Sequence, residues 1–180
     1  MSDEDETVII EDIGPGSWQV RQVFAKYGLA MYHGQVLEHG IVNLLLWSGI
    51  ADGICKSAEE TETVTEALFE QTMGSLKRLL MERRIDLAHI EGDLIRAVSL
   101  RNFLAHRYFR ERASAFLTHD GRDQMLEELD QAVSFFQEVD GRLDPVTMRI
   151  AEEFGILDKM PEAREKAADP GFGQPLPGLT

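Results

Sequence analysis

LAHIEGDLIRAVSLRNFLAHRYFRERASAF, running from Leu87 to Phe116, is the stretch whose reading decides the fold. It contains no proline and one glycine, Gly92, and it mixes apolar and charged residues at helical spacing. Leu87, Leu94, Arg101 and Tyr108 stand seven residues apart and fall on almost one line of a helix, flanked by Ile90, Ala97 and Leu104. A second line with the same spacing passes through Ile95, Asn102, Phe109 and Phe116, and His106 lies one turn beyond Asn102. A helix is therefore expected from near Asp86 to about Phe116, apolar on two faces. One face would serve the core of its own bundle, and the other suits contact with a second copy of the chain.

The rest of the sequence supplies helices for this one to pack on. After Gly14-Pro15-Gly16, Ser17 can cap a long helix from Trp18 to about Ser57, with Val20, Phe24, Tyr27, Met31, Leu37, Ile41, Leu44, Leu45 and Ile50 recurring at helical spacings. Gly28, Gly34, Gly40 and Gly49 imply a break, a kink or close packing against a neighbour, since each costs about 1 kcal/mol relative to alanine. A second helix is expected from about Thr63 to Arg84, with Val64, Leu68, Met73, Leu76, Leu79 and Leu80 as its stripe. Asp120 or Asp123 can cap a further helix carrying Met125, Leu129, Val133, Phe136 and Val139. Gly141 interrupts that pattern, and Asp144-Pro145 reads as the start of a last short helix through Ile150 and Phe154. The fold class expected is all-α, a bundle of four to five helices over residues 17–158. An acidic lead-in at 1–16 and a Pro/Gly-rich tail at 159–180 would both be flexible.

Composition narrows the chemistry. No apolar run approaches the roughly 18 residues of a membrane span, and the acidic N-terminus does not resemble a signal peptide. With one cysteine, Cys55, no internal disulfide can form, so a reducing cytoplasm is the expected compartment. A net charge of −14 argues against a polyanionic partner. The distribution softens that objection locally, because residues 96–112 hold Arg96, Arg101, Arg107, Arg110 and Arg112 against Glu111 alone. An anionic ligand there is reasonable.

Arg101 and His106 are a minimal pair for phosphate chemistry without a metal, one a planar fork for anionic oxygens and the other a proton acceptor. Five positions put them roughly 140° apart on a straight α-helix, so one copy cannot aim both into one cleft. Either the helix deforms between them or two copies complete the site, and the second apolar face favours two copies. The plain structural account is a buried arginine paired with a carboxylate and a histidine on the surface. No metal is expected: Asp86 and His89 have ligand spacing but stand alone, and no Glu-x-x-His motif of a di-metal bundle occurs.

The string Arg101-Asn102-x-x-x-His106-x-Tyr108, late in a helix of an all-helical chain, resembles the HEPN superfamily and within it toxins of the HepT type. The resemblance implies an antiparallel helical bundle that dimerises through its motif-bearing helices, so that two motifs form one cleft. It also implies a metal-independent endoribonuclease of a toxin–antitoxin or defence system, with no cofactor and an RNA substrate. His106 would be general base toward the ribose 2′-hydroxyl, Arg101 would stabilise the phosphate as charge builds, and Asn102 would orient either group. Tyr108 would be a regulatory position, modified with AMP by a nucleotidyltransferase antitoxin, or a substrate-positioning residue. Arg107 and Arg110 would hold RNA phosphates. A noncatalytic helical interaction or RNA-binding module is the alternative.

Overall fold

Val20, Val23, Tyr27, Ala30, Gly34, Leu37, Ile41, Leu44 and Ser48 are spaced alternately by three and four residues, and so are Arg122, Met125, Leu129, Ala132, Phe136, Val139, Leu143, Val146 and Ile150. That is the 3.5-residue period of a coiled-coil seam. In the computed structural model, which describes Gly14, residues 17–83 and residues 85–155, these two series face each other along two long helices. The described residues are all-helical, with α1 (Trp18–Ala51), α2 (Ala58–Phe69), α3 (Met73–Glu82), α4 (Glu91–His106), α5 (Tyr108–Glu111), α6 (Ala113–Phe116) and α7 (His119–Glu153). No helix among them is long and apolar enough to cross a membrane. The expected lead-in at 1–16 and tail at 159–180 lie outside the described residues, Gly14 excepted.

Polar rungs fix the register of α1 on α7. Gln19 Nε2 donates to Asp123 Oδ1 at 2.5 Å, Lys26 pairs with Asp130, and the Gln137 amide donates to His33 Nε2 at 3.1 Å. Each rung is seven residues beyond the last in both helices, so α1 and α7 run parallel. This corrects the expectation of a wholly antiparallel bundle. The antiparallel member is α4, which meets α1 where the Tyr27 hydroxyl donates to the Leu104 carbonyl (3.2 Å) and meets α7 where Arg142 Nη1 reaches Asp93 Oδ2 (2.6 Å). α2 and α3 complete the bundle, with His39 edge-on to Phe69 and Gly74 beside Val98.

Gly34 and Gly40 are close contact points, Gly28 faces open space, and α1 is unbroken. A Cβ at Gly34 would lie 3.5 Å from Arg101 Cγ and 3.6 Å from the Phe136 ring, and one at Gly40 would lie 2.8 Å from Asp140 Oδ1. α7 likewise runs through Gly141 and Pro145. Its seam residues Leu143, Val146 and Ile150 stay on α1's side, and their burial outweighs the backbone bond that proline lacks. The expected second helix is two: Thr72 caps α3 by accepting from Ser75 N, while Ser57 caps α2 by accepting from Glu60 N. At the other end of the long pair, Arg122 is fully buried. Its Nε donates to Gln19 Oε1 (2.8 Å) and its Nη1 to the Phe116 carbonyl (2.9 Å). Cys55 is buried beneath the turn after α1, in which Gly53 takes φ +69°.

Candidate functional site

The helix expected to reach Phe116 stops at His106. The last bond of α4 runs from Arg107 N to the Phe103 carbonyl, and Arg107 leaves helical geometry at φ −132°, ψ −22°. The chain resumes in two single turns, α5 and α6, which lay aromatic residues against α1 and α7. Tyr108 goes into the core, 1 % exposed, its ring flanked by Tyr27, Phe103 and Phe109 and its hydroxyl donating to the Met125 carbonyl at 3.1 Å. Burial, reinforced by the neighbouring Glu128 charge and opposed by Arg112, pushes the hydroxyl's pKa above the usual phenol range. Phe109 and Phe116 pack with Phe24 of α1, at 5.5 and 5.7 Å between centroids. The second apolar line anticipated on one helix is thus divided between α4, where Ile95 remains exposed, and this aromatic cluster.

Arg101 and His106 both lie within the regular part of α4, so the helix does not deform between them. Arg101 turns into the seam with α1, its stem over Gly34 and its Nη2 3.6 Å from Glu38 Oε2. That separation is too long for a hydrogen bond, although opposite charges still attract. Arg101 Nε is buried without a partner among the described residues. His106 stands exposed at the end of α4, and Asn102, one turn earlier on the same face, is exposed as well. In a single protomer the arginine therefore lies paired in a seam and the histidine on the surface.

The basic residues around the motif are unequal. Arg107 and Arg110 are exposed and share Glu111, at 3.6 and 4.0 Å. Arg112 is firmly held: its Nε donates to both oxygens of Glu128 in α7, at 3.1 and 2.8 Å, and this pairing raises the pKa of its guanidinium. Neither Arg112–Glu128 nor Arg101–Glu38 was identified as a pair from the sequence. Helical spacing says which residues share a face of one helix, and these pairs cross between helices. A groove of about 410 Å³, also missed, opens between α4–α5 and α7 and includes Leu100, Phe103, Tyr108, Arg112, Gln131 and Phe135 in its lining. A second cavity, about 290 Å³, lies beside Cys55 and Arg83, away from the motif.

No group of three or more His, Cys, Asp or Glu side chains placed to hold a metal ion occurs among the described residues. Asn102 and His106 of α4, Arg107 just past its end and Arg110 of α5 are thus all exposed, while Arg101 and Tyr108 are drawn inward against α1 and α7. Compared with protein-family models, curated proteins and solved structures, the chain matches none.

Proposed function

We propose that the chain is a metal-independent endoribonuclease, HEPN-like and of the HepT kind, acting as a homodimer in a toxin–antitoxin or defence setting. The observation that carries this reading is the placement of His106. It stands exposed at the end of α4, with Asn102 on the same face and the exposed Arg107 and Arg110 following it in the chain. A polyanion can approach this face despite the chain's overall negative charge. His106 would take the proton of a ribose 2′-hydroxyl. The freed oxygen attacks the adjacent phosphorus, and the 5′-oxygen leaves with a proton from water, giving a 2′,3′-cyclic phosphate and a 5′-hydroxyl end. Arg101 points away from the His106 of its own protomer, so the arginine that stabilises the phosphorane comes from the partner copy. Its long contact to Glu38 leaves the guanidinium able to donate to phosphate. Modification of Tyr108 by an antitoxin would require the α5–α7 seam to open, since the hydroxyl is bonded to Met125.

RNA cleavage in EDTA by the wild-type protein, compared with Arg101→Ala and His106→Ala, tests the proposal. Each variant should lose about 100-fold or more. Equal activity in all three, or none from folded wild-type protein, would end it. The Arg101–Glu38 pair favours a second reading, a helical interaction module in which Arg101 is structural; that reading expects no cleavage and a loss of stability in Arg101→Ala.

A further inference from the structure

We propose that the groove between α4–α5 and α7 is a nucleobase subsite. It takes one base of an RNA strand against Phe103 and Phe135 and places the adjoining phosphate at Arg112. The choice of RNA rests on the ribonuclease reading above; the groove itself stands apart from the His106 chemistry.

At about 410 Å³ the groove falls within the roughly 300–1,000 Å³ typical of small-ligand sites. Phe103 of α4 and Phe135 of α7 supply aromatic surface from two different helices. Base–aromatic stacking is the sequence-tolerant way to hold a single-stranded nucleotide. Cations surround these rings. The Arg96 guanidinium lies 4.7 Å from the centre of Phe135, and those of Arg107 and Arg112 lie 5.4 and 5.6 Å from the centre of Phe103. Arg96 and Arg107 are paired with Asp93 and Glu111, and Glu128 lines the groove beside Arg112, so the donors left open to an anion are the terminal nitrogens of Arg112. Arg112 is well placed to meet one. Glu128 engages its Nε, which fixes the side chain, while the terminal nitrogens carry no hydrogen bond among the described residues. Gln131 offers an amide that can both donate to and accept from a base edge. The groove also adjoins the motif, because Phe103 and Arg107 are three residues before and one after His106.

The test uses a fluorescein-labelled 2′-O-methyl RNA hexamer of mixed sequence, which cannot be cleaved through its 2′-oxygens, and the same hexamer made abasic. Anisotropy titrations compare wild-type protein with Phe135→Leu, Gln131→Glu and His106→Ala, each checked for helical content by circular dichroism. Gln131 is exposed, so its substitution leaves the core intact. The wild-type protein and His106→Ala should prefer the intact hexamer by about tenfold or more, the size of one base–aromatic stack. Phe135→Leu and Gln131→Glu should remove the preference. A pool of the four 5′-mononucleotides separates two sources of the same chemistry. Competition that both groove substitutions abolish assigns free nucleotide to the site, whereas preference without competition assigns the base of a strand; either supports the subsite. Equal affinity for intact and abasic RNA, or a preference that survives both substitutions, overturns it. Cleavage of unmodified RNA by the same preparations keeps the two claims apart: base preference without cleavage retains the subsite and removes the ribonuclease, and cleavage without base preference does the reverse.

Discussion

The α1–α7 pair and the α4–α6 arm are both helical, yet they follow different rules. The long pair repeats one unit, with a buried layer every three or four residues and a polar rung every seven, at Gln19–Asp123, Lys26–Asp130 and His33–Gln137. The arm repeats nothing beyond His106. It breaks at Arg107, shortens to single turns and spends Tyr108, Phe109 and Phe116 on aromatic packing. Regularity holds the fold in register, and the break leaves His106 at the end of α4, and Arg107 and Arg110 after it, open to solvent. Stability should therefore concentrate in the pair and function at the arm's exposed end.

Truncating the seam should have the largest effect. Phe136 is fully buried against Gly34, and Phe136→Ala should cost about 3–5 kcal/mol in urea denaturation. The same truncation at half-buried Phe109 should cost less. Equal losses would erase the contrast between the two regions.

How much of this contrast a sequence can show depends on the range of the interaction. The all-helical class was legible, because three- and four-residue spacings recur along most of the chain. The parallel register of α1 on α7 was missed: each helix was read for its own stripe, and the matching seven-residue repeat in the other was not compared. A new helix was expected to start at Pro145, and the α1 glycines were read as a break, a kink or close packing, of which close packing holds at Gly34 and Gly40; local propensity is all that a single segment displays. Tertiary burial along the seam outweighs those local costs. The end of α4 failed in the opposite sense. The seven-residue lines continue smoothly through Tyr108 and Phe116, and only the packing of their rings on α1 and α7 ends the helix at His106. Of the motif, the exposure of His106 was anticipated in the plain structural account, as was a carboxylate partner for Arg101. That the partner is Glu38 depends on how α4 lies across α1.

Tyr108→Phe sharpens the boundary between the regions. Removing the hydroxyl deletes one bond to the Met125 carbonyl and leaves the ring packing intact, so the loss should be about 1 kcal/mol by the same denaturation assay. A loss as large as that of Phe136→Ala would mean that the arm, too, carries the fold.

Asp140 supplies the smallest and most diagnostic effect. Burial beside α1, reinforced by the Asp144 charge and opposed by His33, raises its carboxyl pKa above the usual range. Because the folded value is raised, the native state favours the protonated acid. Asp140's contribution to stability is full below the unfolded carboxylate pKa and is lost as pH rises through the folded one. Asp140→Asn should accordingly stabilise the protein at pH 7, and the gain should fade on acidification into the ordinary carboxylate range. A gain independent of pH, measured by thermal unfolding across that range, would contradict the assignment.

The central claim is that one functional site needs two copies of the chain, because Arg101 and His106 of one protomer face different ways. Mixing Arg101→Ala and His106→Ala proteins in equal amounts, dissociating and reassociating them, and assaying RNA cleavage in EDTA tests it directly. Half of the dimers are then mixed and each carries one intact site of two, so about a quarter of wild-type activity should return. Activity in the mixture no greater than that of either variant alone, from protein whose wild-type form cleaves, would contradict the account.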